Sequence, residues 1–357
     1  SRRGGLVSRL RYVMIPLLIV ILVPAFLGQQ KTQYLYGDSA ATSLESPISA
    51  QREAIAARFG ESNPAVFIVP EGDAAREAAF TAELASCRYV TRVFSLSSLV
   101  DPAIPHGMLP ARVTSQFISN GYVRVVAYLG VKNETAQSEE AVGEIKALVQ
   151  KYYSGDWYVA GGTTSTYDIK ETIEADGQKV TLFSLLLVGI VVMAAFRSAL
   201  IPVLLVAVIE ASVLINMSIP YFQGVKLIYF GYLVVSSLQL GATIDYAILM
   251  TSRYLEYRKT LMPPRESAVR SIETAGMSVT VSALIFTAAG FTEGSVSQIP
   301  SISAVGMLLG RGALLSLIMV IFVLPSLLVL LDRAIMGTTL GFRFVNKKPL
   351  PQIKVEY

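Results

Sequence analysis

The sequence is poor in the residues on which many soluble folds and metal sites depend. It contains one cysteine, one histidine and one tryptophan, and only 16% of its 357 residues are charged. A single cysteine excludes a disulfide within the chain, and a single histidine excludes a histidine-based metal cluster. In soluble domains about a quarter of the residues are charged, so this low fraction indicates that most of the chain is not exposed to water.

Long apolar runs take the place of the missing charge, and the mean hydropathy is +0.53. Runs of about 18 or more apolar residues are typical of membrane-spanning helices. The runs predict six spans, at residues 12–28, 180–196, 199–219, 227–252, 276–291 and 302–331. The chain begins at Ser1 rather than at Met, which indicates a fragment or one half of a longer protein.

The basic residues predict the orientation of these spans. They cluster before the first span, at Arg197 after the second, between 253 and 270 after the fourth, and from Arg333 onwards. All four segments fall on one side, which the positive-inside rule identifies as the cytoplasm. We therefore expect a multi-pass protein of the cytoplasmic membrane with both termini inside. A basic pI, here about 9.0, can indicate a protein that binds nucleic acid. In this chain the basic residues lie in loops beside the spans, so no nucleic-acid partner is predicted.

Residues 29–178, predicted to lie outside, indicate a folded α+β domain. Strand patterns occur in "NPAVFIVP", "YVTRVFSL", "YVRVVAYLG" and "DWYVAGG", and two helical patterns separate them. The order β-α-β-β-α-β is the split-βαβ, or ferredoxin-like, arrangement. The proline-rich segment "DPAIPHGMLPARVTSQF" is expected to be irregular, and a helix is expected to run from about Thr164 into the second span.

The predicted organisation has four parts. Residues 1–28 form the cytoplasmic N-terminus and first span, and residues 29–178 form the extracytoplasmic domain. Residues 179–332 form a five-helix membrane bundle, and residues 333–357 form a basic cytoplasmic tail that we expect to contact lipid head groups. Membrane lipids are therefore predicted partners of the chain.

The extracytoplasmic domain lacks the parts of an enzyme. It has no G-x-S-x-G nucleophile elbow and no cysteine–histidine motif of a zinc site. The sequence therefore predicts neither an acyl-transfer enzyme nor a zinc enzyme. We interpret His106 and Cys87 as ordinary surface or core residues, and Trp157 as core of the fourth strand. No cofactor is predicted.

The fourth span contains an acid, in the stretch "GATIDYAILMTSRYLEYR" (residues 241–258). Asp245 precedes Arg253 by eight residues, or roughly 12 Å along a helix, which is too deep for a short side chain to reach the interface. A charge in hydrocarbon costs several kcal/mol, so such an acid favours a functional role. The alternative is a structural residue that clamps two helices, which Asn or Ser would do at lower cost.

Small and polar residues accompany this acid at helical spacing. Gly241 and Ala242 lie one turn before it and allow close approach of another helix. Gln239, Thr243 and Tyr246 form a second polar row, and the Tyr246 hydroxyl can both donate and accept a hydrogen bond.

The third span contains a second acid, Glu210, about midway along it. A carboxylate in a medium of low dielectric constant can bind a proton from one side and release it to the other, as a proton-driven pump requires. Glu210 is therefore a second candidate for a proton relay. The equally weighted alternative is that Glu210 pairs with Arg311 of the sixth span, or with a serine, only to be neutralised. Arg311 itself is interpreted first as a snorkelling or structural residue.

One span, a large exterior α+β domain and five further spans resemble the half-unit of the resistance-nodulation-division (RND) transporters. "GATIDYAILMTSRYLEYR" resembles the fourth-span signature of their MMPL branch, and "LYGDSA", "INMSIP" and "FVLPSLLVLLD" are also similar to MMPL sequences. The resemblance covers essentially the whole chain and is strongest in the membrane part.

The resemblance implies export of lipids or other hydrophobic compounds, driven by the proton gradient. In the family, an Asp-Tyr pair in the fourth span faces the matching pair of the other half; these positions correspond to Asp245 and Tyr246. A complete transporter has twelve spans and two exterior domains, so the resemblance implies a missing N-terminal half or a second copy.

The sequence is compatible with two other functions. A lipid- or sterol-sensing receptor can share the membrane fold without transport, and it would need the acid only for stability. A Sec-associated accessory protein of the RND type has similar six-span units, but its membrane motifs are not present here.

Overall fold

A computed structural model describes residues 2–37, 47–101, 103–104 and 108–340. The chain divides into two compact units. The helical unit comprises the described residues of 1–34 and 177–357, and the α+β unit comprises those of 35–176. Helix α1 (Arg2–Gln30) opens the chain, and the two-residue strand β1 (Tyr34–Leu35) follows it.

The α+β unit contains one antiparallel sheet of five strands, with helices packed on it. Its helices are α2 (Pro47–Phe59), α3 (Ala74–Ser86), α4 (Leu96–Leu99), α5 (Ala111–Phe117) and α6 (Ala136–Tyr152). Its strands are β2 (Asn63–Pro70), β3 (Val90–Phe94), β5 (Tyr122–Leu129) and β6 (Tyr158–Ala160), with the short strand β4 (Ile118–Ser119) at the edge of β5. The strand order is β3-β5-β2-β6.

Alternation of side chains places one face of this sheet in the core. Phe67 of β2 lies opposite Val125 of β5, and both are completely buried. Phe67 packs against Phe80 of α3 with ring centroids 5.6 Å apart. Asp73 caps α3 by accepting a hydrogen bond from the Ala75 amide at 2.9 Å, as its position in the sequence indicates. The sheet and its helices therefore form a core of their own.

Three features of this unit differ from the expectation. The segment expected to be irregular contains a helix, α5, which begins directly after Pro110. Helix α2 was not predicted. Trp157 packs on the core immediately before β6 rather than within it, and Cys87 is half-buried. His106, like Pro102, lies outside the described residues.

Five helices in the described part of the chain are long and apolar enough to cross a membrane. The helices that contain them are α7 (Gly162–Phe196), α8 (Leu200–Gln223), α9 (Tyr229–Lys259), α10 (Pro264–Val296) and α11 (Pro300–Ile318), which continues through a π-helical turn (Met319–Val323) into α12 (Leu324–Leu330). Strand β7 (Leu227–Ile228) precedes α9, and α13 (Asp332–Thr338) ends the described chain. The apolar part of α1, Pro16–Gln30, is shorter than these five helices, so a sixth span stays a prediction.

These helices extend beyond the apolar runs that predict them. The fourth span is predicted to end at residue 252, yet α9 continues to Lys259, and α10 begins twelve residues before the predicted 276. Helix α7 is continuous from Gly162, as the sequence predicts from about Thr164. Arg197 makes the tight turn between α7 and α8 with a φ of 49°.

The sixth predicted span is interrupted by the π-helical turn. Pro325 has no amide hydrogen, so it cannot donate to the carbonyl of Ile321, four residues earlier. The π-helical turn lies just before Pro325. There the Leu324 amide donates to the carbonyl of Met319, five residues earlier, instead of four residues earlier as in an α-helix.

Helices α10 and α11 cross at four glycines and meet backbone to backbone. A Cβ atom added at Gly290 would lie 2.5 Å from the Gly310 amide nitrogen and 2.9 Å from the Gly306 carbonyl oxygen. A Cβ atom at Gly306 would lie 2.6 Å from the amide nitrogen of Gly294. Small residues allow this approach in membranes, where packing and not the hydrophobic effect holds helices together.

The C-terminal end of α9 is held by a buried ion pair. Asp332 at the start of α13 accepts from the Arg258 guanidinium through both carboxylate oxygens, at 2.8 and 2.9 Å. Tyr254 donates to the same carboxylate at 2.7 Å. This bidentate contact fixes the position of α9 at that end.

The glycine crossing yields a stability prediction. Gly290→Ala must separate α10 from α11, so we expect it to lower the free energy of unfolding by about 1–3 kcal/mol. Thermal unfolding in detergent, followed by circular dichroism, measures the change. The control is Gly189→Ala on α7, where an added Cβ atom meets nothing within 4 Å. Equal midpoints for the two variants would contradict the close crossing.

Candidate functional site

Asp245 lies on the outer surface of α9 and not inside the helix bundle. Its side chain is exposed, as are Gly241 one turn before it and Ser237 two turns before it. A Cβ atom at Gly241 would meet nothing within 4 Å. These three positions form the open stripe of α9. Within the described residues, the Asp245 carboxylate makes no hydrogen bond and no ion pair.

The opposite side of α9 is buried and polar. Gln239 is completely enclosed, and its amide nitrogen donates to Ser212 of α8 at 2.9 Å and to Ser316 of α11 at 3.0 Å. The two serine hydroxyls are 2.8 Å apart. Thr243, one turn on, is buried and donates to the Gln239 carbonyl. The buried row therefore connects three helices through hydrogen bonds.

Arg311 of α11 joins the same network through Asn216. Its Nε donates to the Asn216 side-chain oxygen at 2.8 Å, and a terminal nitrogen donates to the Asn216 carbonyl at 3.0 Å. The Asn216 amide donates in turn to Gln239 at 3.2 Å and to the Leu308 carbonyl at 2.9 Å. The expected alternative of a Glu210–Arg311 ion pair is therefore wrong. The hydrogen bonds to Asn216 fit the structural interpretation of Arg311, and its role stays a prediction.

Glu210 faces a cavity between helices instead. The cavity has a volume of about 310 Å³, and Tyr232 and Gln29 line it with the acid. Asp245 does not line it. The two acids that the sequence singles out are thus not brought together: one faces the cavity and the other faces outward from α9.

Tyr246 follows Asp245 and is half-buried against the core of the helical unit. The pair therefore lies at the edge between the open stripe and the buried row. Ser316 was missed in the sequence, although its place five residues after Arg311 in an apolar helix is a usable signal. Among the described residues, no group of three or more His, Cys, Asp and Glu side chains could hold a metal ion.

The buried network gives a second stability prediction. Gln239→Leu keeps the volume but removes the partner of Ser212, Ser316 and Asn216, so we expect a loss of about 1–3 kcal/mol of unfolding free energy. The control, Ser236→Ala, removes only a hydroxyl that donates to Leu233 one turn earlier on the same helix. Thermal unfolding in detergent compares the two, and an unchanged midpoint for the leucine variant would show that the network does not stabilise the bundle.

The sequence was compared with known proteins. The profile of the MMPL family matches residues 43–349. A protein of Mycobacterium leprae named "Probable trehalose monomycolate exporter MmpL3" is 23% identical over 364 residues, which cover 97% of this chain and 37% of that protein. The membrane protein SCO0839 of Streptomyces coelicolor is 26% identical over 286 residues, covering 77% of this chain and 38% of that protein.

A third relative, "Probable transport protein MmpL10" of Mycobacterium leprae, is 28% identical over 185 residues, which cover 50% of this chain and 18% of that protein. The chain thus spans less than two fifths of the length of each of these three relatives. The family match extends over most of both units and includes all five long apolar helices. The chain is therefore a multi-pass membrane protein that belongs to the MMPL family.

Proposed function

We propose that this chain is one half of a transporter that exports lipids or other hydrophobic compounds across the cytoplasmic membrane, driven by the proton gradient. The α+β unit is then an extracytoplasmic ferredoxin-like porter domain, and α1 is the first of six spans. One observation carries the proposal. Asp245 is an acid in a membrane-spanning helix that is exposed and has no partner in the described part of the chain.

The exposure of Asp245 supports a further membrane helix against this face of α9. A carboxylate facing lipid at this depth would cost several kcal/mol, and intramembrane acids almost always face a bundle interior or a water-filled cavity. The open stripe of α9 has only small side chains before the acid, namely Ser237 and Gly241, and stripes of this kind allow helices to approach closely. A missing N-terminal half or a second copy of the chain would provide the covering helix.

The relatives support export as the activity. The Mycobacterium leprae relative named as a trehalose monomycolate exporter aligns with 97% of this chain. A second relative from the same organism is named as a transport protein. The proposal extends their class of activity to this chain and leaves the identity of the hydrophobic substrate open.

In the proposed mechanism, Asp245 binds a proton from outside and loses its charge. We propose that the Tyr246 hydroxyl, at the next position, exchanges a proton with it, and Glu210 is a second candidate relay acid. Each charge that crosses 100 mV supplies about 2.3 kcal/mol, so one or two protons can drive a rearrangement of a few kcal/mol. Helix α7, continuous from residue 162 to 196, is one of the two covalent connections between the units, and we propose that it transmits the shift.

The relay predicts the outcome of one substitution. Asp245→Asn preserves shape but cannot release a proton, so we expect export to fall to the level of the gene deletion. The measurement is made in the native host at matched protein abundance, comparing surface lipids and tolerance to hydrophobic toxins. The matched control is Glu256→Gln, an acid-to-amide change on the exposed end of the same helix.

Normal export by Asp245→Asn would contradict the relay. If the variant loses stability and transport is absent even from the wild-type protein, the lipid-sensing alternative replaces export. Proton uptake by proteoliposomes containing wild-type protein separates these two cases, because only a proton-coupled transporter acidifies the lumen.

The proposed helix of the partner half, which would cover Asp245, yields a second prediction. A photo-crosslinking amino acid in place of Leu238, which is exposed beside Ser237, should form a covalent adduct with a membrane helix of the partner half. The same amino acid in place of Leu187 on the exposed face of α7 should label lipid. Mass spectrometry of the crosslinked peptides distinguishes a second copy from an N-terminal half. Labelling of lipid alone at position 238 would contradict a protein partner on this face.

A further inference from the structure

The cavity that contains Glu210 lies between four helices of the helical unit, α1, α7, α8 and α9, and is open on one side. Its polar lining residues are Gln29, Thr181, Ser184, Glu210, Tyr232, Ser236 and Ser237. Its apolar lining residues are Leu22, Ala207, Ala211, Val213, Leu214 and Leu240. Its volume of about 310 Å³ is at the lower end of the range for small-molecule sites, enough for a head group and the first part of a chain.

Among the residues that the structure describes, Glu210 is the only charged residue in this lining. No lysine, arginine or histidine lines the cavity. In the described part of the chain, no basic group lies within 4.0 Å of the Glu210 carboxylate. Arg311, the basic residue of the neighbouring helix α11, donates its hydrogen bonds to Asn216. A carboxylate away from water gains most from a bound cation that also donates hydrogen bonds.

The remaining polar groups suit such a ligand as well. Tyr232 and Gln29 line the cavity together with Glu210. Amide, phenol and hydroxyl oxygens can all accept hydrogen bonds, so the N–H groups that do not reach the carboxylate would also find acceptors. The cavity therefore surrounds an anion with neutral acceptors, which is the arrangement that suits an ammonium group.

The surroundings of the cavity suit an aliphatic chain. Thr181 and Ser184 face the cavity from α7, whereas their neighbours Leu182 and Phe183 are 57% and 63% exposed on the same helix. Leu187, one turn further on, is 61% exposed. An alkyl tail that leaves the cavity can thus lie along an apolar helix surface while its head stays beside Glu210.

We propose that this cavity binds the protonated amine head group of a hydrophobic, single-chain amphiphile, with the Glu210 carboxylate as its counter-ion. Binding itself does not depend on transport. As a statement about the class of substrate, it rests on the proposed export function. In this role Glu210 recognises a ligand, which is an alternative to its candidate role in the proton relay.

Photoaffinity labelling of the full-length protein in phosphatidylcholine nanodiscs tests the proposal. Two probes are compared, a dodecylamine and a dodecanol that carry the same diazirine in the alkyl chain. We expect the amine to label peptides of α7, α8 and α9 roughly tenfold more than the alcohol, because hydrogen bonds between charged groups are about twice as strong as neutral ones. Glu210→Gln should reduce amine labelling to the level of the alcohol.

Two further variants make the test specific. Ala207→Leu narrows the cavity without a change of charge, so it should reduce labelling by the amine. Asp245→Asn should keep the preference for the amine, because Asp245 does not line the cavity. The comparison of the two probes on the wild-type protein needs no variant, so it decides the matter even if a substitution disturbs folding.

Equal labelling of the wild-type protein by both probes would overturn the proposal, as would a preference for the amine that survives Glu210→Gln. Labelling by the alcohol that itself depends on Glu210 would also overturn it and would assign the cavity to a hydroxylated head group. Normal export by Asp245→Asn, by contrast, would remove the proposed relay and leave the amine preference standing. The two proposals can therefore fail separately.

Discussion

The buried hydrogen bonds of Gln239 set the rotation of α9, and the direction of every other functional side chain on that helix follows from it. Residues two positions apart point about 200° apart around a helix. With Gln239 held toward α8 and α11, Gly241 and Asp245 face away from the bundle, whereas Ser237 is exposed and also lines the cavity. The exposed acid is thus a consequence of the polar row on the opposite side.

Much of the fold follows from periodicity alone, since alternation marks the strands and long apolar runs mark the spans. Helix ends do not follow, because hydropathy marks the membrane-embedded part, whereas backbone hydrogen bonds continue into polar residues up to Lys259. The Asp-Tyr pair could be singled out because an acid is costly in hydrocarbon. The outward direction of Asp245 could not be predicted, because it depends on the hydrogen bonds of Gln239 to Ser212 and Ser316 of other helices.

The wrong pairing of Glu210 with Arg311 has a similar cause. The sequence shows that each is polar and lies within a span, but not the register between α8 and α11. In the structure Arg311 lies opposite Asn216, six residues or about 9 Å further along α8 than Glu210. Glu210 is left facing a cavity, and a residue that would otherwise be neutralised becomes available to a ligand.

The same network limits how a proton could move this membrane unit. Each hydrogen bond contributes about 1 kcal/mol, and those that join α8, α9 and α11 share donors and acceptors, so sliding α9 alone would break several together. One charge crossing 100 mV supplies about 2.3 kcal/mol, which is no more than such a loss. Helix α11 is also joined to α10 at the glycine crossing. In the proposed transporter, protonation of Asp245 would therefore move α8 to α11 as one body against the partner half. The change would be concentrated at the open stripe, where Asp245 makes no hydrogen bond or ion pair with the described residues.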